Sequence, residues 1–126
     1  MNFHADYVPG PGTVLIWLSY DDNLDLFKLL ISLTPAAMKP LRWSMEDRKR
    51  YASHFGEAMS EFGAGKSAEE LDDLKVPLTL PVEDAAAVRD FLSKTIGTTA
   101  FARQPSSFTE PLLRAHGALS AALRAA

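Results

Sequence analysis

The sequence predicts an α+β fold, with four main helices packed on a small sheet of two to four short strands. Three observations carry this. Apolar residues recur at helical spacing in four stretches with cap signals at their ends, and β-branched or aromatic runs too short for helices lie between proline and glycine turns. The length of 126 residues with 47% hydrophobic side chains suits one core spanning residues 1–126. A chain of that size reaches roughly 6 to 19 kcal/mol of stability.

Phe3, Ala5 and Tyr7 alternate with polar neighbours and stop at Pro9-Gly10-Pro11-Gly12, which reads as a strand and a turn. Residues 13–20 follow as a β-branched and aromatic run, apolar on both faces, and so a central strand in a hairpin with 2–8. Asp22 with Asp25 reads as a cap for a helix over Leu24 to Leu33. Pro35 and Pro40 bracket a stiff connection. Ser44 with Asp47 at the third position opens a second helix whose stripe is Ala52, Phe55, Met59 and Phe62, and Gly63 is its left-handed stop. Ser67 and Glu70 cap a brief acidic helix closed by Pro77, and Val76 to Leu80 reads as a strand. Pro81 starts a helix carrying Ala85, Val88, Leu92 and Thr95, ending at Gly97. Thr98 to Ala102 reads as an edge strand and 104–108 as loop. A final Ala-rich helix, Thr109 to Ala126, sets Leu112, His116, Leu119 and Leu123 on one side.

Composition removes whole classes of chemistry. With no cysteine there are no disulfides, thiolate nucleophiles, Cys-ligated zinc or iron–sulfur clusters. The longest apolar run, Val14 to Leu18, is far short of the ~20 residues a membrane span needs. The N-terminus lacks the basic start of a signal peptide, which points to the cytoplasm. Eighteen alanines fit a GC-rich bacterial genome. A net charge of -3 argues against general nucleic-acid binding.

Several strings invite a chemical reading. Gly63-Ala64-Gly65-Lys66-Ser67 ends like a phosphate-binding loop, but Ser60 stands where that motif needs its first glycine, and the loop leaves a helix rather than a strand. Tyr51, His54 and Glu61 lie along one flank of the second helix, the arrangement a general base would use. One helix supplies at most two metal ligands there, so no metal and no cofactor is expected. Lys39, Arg42, Trp43, Arg48, Lys49 and Arg50 form a basic neighbourhood with an aromatic, the only stretch that suits nucleic acid. Glu46 and Asp47 interrupt it, and Trp43 and Arg48 occupy hydrophobic-staple positions where the guanidinium can stack on the indole. The acidic run 69–73 lacks the alternation of a calcium loop, and there is no Gly-x-Ser-x-Gly elbow.

Catalytic groups are sparse and apolar material is ample. The sequence therefore reads as a small cytoplasmic protein that binds another protein or itself as a homodimer, in the manner of an accessory factor, inhibitor, immunity protein or chaperone. Trp43, Arg48, Leu112, His116, Leu119 and Leu123 are the expected contact residues. The alternative is a small enzyme or ligand-binding protein with a pocket using His54, Tyr51 and a carboxylate such as Glu61.

Overall fold

The computed structural model describes residues 12–125. In chain order these form β1 (Thr13–Ser19), α1 (Tyr20–Ile31), α2 (Pro35–Met38), a 3-10 turn (Lys39–Leu41), α3 (Met45–Gly63), α4 (Ala68–Asp72), β2 (Lys75–Pro81), α5 (Val82–Ile96), α6 (Thr99–Ala102) and α7 (Ser106–Ala125). The fold is α+β: four helices of twelve residues or more and, among the described residues, one antiparallel pair of strands. The strand expected over 2–8 lies outside the described residues. The chain divides into two compact units, one holding Ser19–Val76 and the other the chain on either side of it.

In the flanking unit, β1 buries Val14, Ile16 and Leu18 on one face while Leu15 and Trp17 are half-buried on the other. β2 buries Val76, Leu78 and Leu80. Pro77 lies inside β2 and does not close the acidic helix, which ends at Asp72. Among the described residues each strand pairs on one side only, and proline's missing N–H is tolerated at a strand edge. α5 and α7 pack on each other, and the buried residues include Val88, Phe91 and Leu92 on α5 and Leu112, Ala115 and Leu119 on α7.

Thr98 to Ala102 is not an edge strand: Thr99–Ala102 is helical, and the Thr98 hydroxyl accepts the Phe101 N–H at 3.1 Å and caps α6. β-branching favours a strand only where a neighbouring strand is available, whereas a threonine cap satisfies the turn locally. α7 starts at Ser106, earlier than the apolar period indicates, with Pro111 inside it. Gly117 stands in α7, and among the described residues nothing beyond its chain neighbours and its own helix backbone lies within 4 Å of where a Cβ would be. Gly117→Ala is therefore expected to raise stability by up to about 1 kcal/mol.

In the other unit, α1 and α3 are the principal packing pair. The cap of α1 lies one turn before the expected Asp22, since Ser19 Oγ accepts the Asp22 N–H at 3.1 Å. Ser44 and Asp47 form the expected capping box of α3, and Ser67 and Glu70 that of α4. The Ser44 backbone N–H holds the Asp47 carboxyl below its usual range, and that of Ser67 does the same for Glu70. Both boxes therefore contribute fully above the ordinary carboxylate range and lose their effect as pH falls through the lowered values.

The core of this unit is Leu26, Leu30 and Phe55, all fully buried, with Met38, Tyr51, Ala52 and Ala58 around them. Asn23 is buried among them. Its Nδ2 donates to the Phe55 carbonyl at 2.8 Å, tying α1 to α3, while its Oδ1 has no hydrogen-bond partner among the described residues. A buried polar atom without a partner costs stability, so this link fixes register more than it adds strength.

Candidate functional site

α1 and α3 run antiparallel because their contacts step in opposite directions: Tyr20 meets Gly63, Phe27 meets Gly56, and Leu33 meets Arg48. The first two contacts form matching rungs. A Cβ on Gly56 would lie 2.8 Å from Phe27 Cε1, and one on Gly63 would lie 2.9 Å from Tyr20 Cε2. Gly63 therefore serves packing and remains helical. The left-handed residue expected there is Gly65, at φ 75°, after an extended cap at Ala64. Because the Phe27 ring must yield to any side chain, Gly56→Ala should show none of the gain expected at Gly117. Paired melting curves check this contrast.

Seating two rings on two glycines leaves an open groove along the pair. One depression of about 630 Å³ is lined by Phe27, Ser53, Gly56, Glu57, Ser60 and Glu61. A second, of about 540 Å³, shares Phe27, Gly56 and Ser60 and continues to Tyr20, Leu24, Met59 and Gly63. The floor is apolar and aromatic. Glu57 and Glu61 are exposed on the rim, four residues apart on one helix, and neither has an ion pair or hydrogen bond among the described residues. Like charges at that spacing repel.

Of the expected catalytic trio, only Glu61 lines this groove. Tyr51 is buried, its ring edge-on to Trp43 with centroids 4.7 Å apart, and Arg50 lies 4.9 Å from its centroid while donating to its hydroxyl at 3.1 Å. His54 is half-buried and lines neither depression. No group of three or more His, Asp or Glu side chains is placed to hold a metal among the described residues.

The basic neighbourhood is partly consumed by the fold. Arg48 does not stack on Trp43: its Nη1 donates to the Leu33 carbonyl at 2.7 Å, just beyond the end of α1. A charge-assisted bond to a carbonyl left over at a helix end outweighs stacking on a half-exposed ring. Arg50 holds Tyr51 and lies 3.6 Å from Asp47. On α7, Leu112 and Leu119 are inside the flanking unit and Leu123 is half-buried, so the leucine line packs on its own fold. His116 Nε2 is 2.8 Å from Ser93 Oγ on α5. A serine hydroxyl both donates and accepts, so the contact suits either tautomer of the ring.

Sequence reasoning weighed Glu57 only as a possible metal ligand beside His54 and did not single out Phe27, Gly56 or Ser60 as site residues. The available signal was a pair of glycines seven residues apart on α3 matching a pair of aromatics seven apart on α1. No family model, curated protein or solved structure matches this chain.

Proposed function

We propose that this chain is a small cytoplasmic protein that acts by binding a protein partner, and that the α1–α3 groove is where the partner docks. One observation carries the reading: an open apolar floor of Phe27, Tyr20, Leu24 and Met59 beside two exposed carboxylates that have no cation of their own among the described residues. An apolar centre with a charged rim is the anatomy of a protein interface. Among the described residues no helix is long and apolar enough to cross a membrane, which is compatible with this reading.

The test is site-specific photo-crosslinking in native cells. A benzophenone side chain at Ser60, on the groove, should trap a discrete protein adduct. The same group at Thr79, an exposed position on β2, should trap none. Equal or absent crosslinking at the two positions would sink the proposal.

A further inference from the structure

We infer that the groove-bearing face receives a second copy of this chain, with α3 packed antiparallel against α3 of the other molecule across a two-fold axis near Ser53. This rests on the docking reading above and commits it to one occupant. At 100° per residue, Lys49, Arg50, Ser53, Glu57, Ser60 and Glu61 fall within an arc of about 120° on α3, so they form one face. All are exposed except Ser53, which is half-buried.

Charge on that face changes sign at Ser53: the cations precede it and the groove carboxylates follow it. Lys49 stands about 6 Å before Ser53 along the axis, and Glu57 about 6 Å after it, by the 1.5 Å rise per residue. An antiparallel two-fold pair therefore brings Lys49 and Arg50 of each molecule level with Glu57 of the other. A parallel pair would oppose like charges.

The remaining positions agree. Glu46, the acid in the cationic half, comes level with Ser60, whose hydroxyl can donate to it. The residue at the proposed axis is Ser53, small enough for close approach of two helices. Lys49, like Glu57 and Glu61, has no ion pair or hydrogen bond among the described residues, so none of the three must be released from an internal partner. Isologous contacts of this kind repeat every favourable pairing twice.

The experiment is a charge swap read by sedimentation over a concentration series, with circular dichroism to confirm folding. The natural chain should dimerise, more weakly at high salt. Glu57→Lys with Glu61→Lys makes the face cationic, and Lys49→Glu with Arg50→Glu makes it anionic. Each should weaken self-association roughly tenfold or more. An equimolar mixture of the two should form a heterodimer, and the chain with all four changes should dimerise again. Because Arg50 also holds Tyr51, Lys49→Glu alone, mixed with the cationic variant, repeats the test if the anionic variant fails to fold.

A natural chain that stays monomeric overturns the inference, as does a dimer indifferent to the swaps or a mixture that fails to associate. A monomeric chain whose Ser60 crosslinker still traps a different protein would retain the docking reading and remove self-pairing. Failure of both would remove the groove as an interface.

Discussion

Phe55→Ala is expected to lower the unfolding free energy by about 3 to 5 kcal/mol, a large share of the roughly 6 to 19 available to a chain of this length. Phe55 is fully buried and heads the largest side chains of the core, and its carbonyl receives Asn23. Truncation leaves a cavity that α1 and α3 cannot close without shifting the rungs at Gly56 and Gly63. Urea unfolding should show a lower midpoint with an unchanged slope. A loss below about 1 kcal/mol would mean that the pair collapses freely around the site, contrary to the close ring-on-glycine seating.

Truncation after Ser107 should have a still larger effect. It removes Leu112, Ala115 and Leu119, which are buried, and leaves α5 without the helix it packs on. Amide hydrogen exchange should show loss of protection across residues 82–96. Retained protection there would mean that α7 is dispensable to its unit and free to serve a partner. The milder Leu119→Ala should cost about 2 to 5 kcal/mol.

Elements fixed by chemistry within one turn were legible in the sequence. Ser44 with Asp47 and Ser67 with Glu70 each place hydroxyl and carboxylate where the backbone needs them, and both boxes form. Features set by distant neighbours were not. The Gly63 that reads as a stop is a seat for Tyr20, and Arg48 goes to a carbonyl fifteen residues earlier. His116 looked like part of a core stripe, yet its partner is Ser93, twenty-three residues away. The groove was illegible for the same reason. Its floor comes from two helices whose register is fixed by packing, and a one-helix view of Tyr51, His54 and Glu61 selects a flank that the partner helix does not complete.

The order of the chain places the whole of the α1–α3 unit between β1 and β2, strands that hydrogen-bond to each other. Closing so long an excursion from an unfolded chain carries an entropic penalty that grows with its length. Once the helices have formed, the Tyr20 N–H donates to the Leu74 carbonyl at 3.0 Å, which brings the two ends of the excursion together. The strands then meet as though joined by a short turn. Assembly of the helical insert therefore shortens the loop that strand pairing must close, and Phe55→Ala is expected to slow the pairing of β1 with β2.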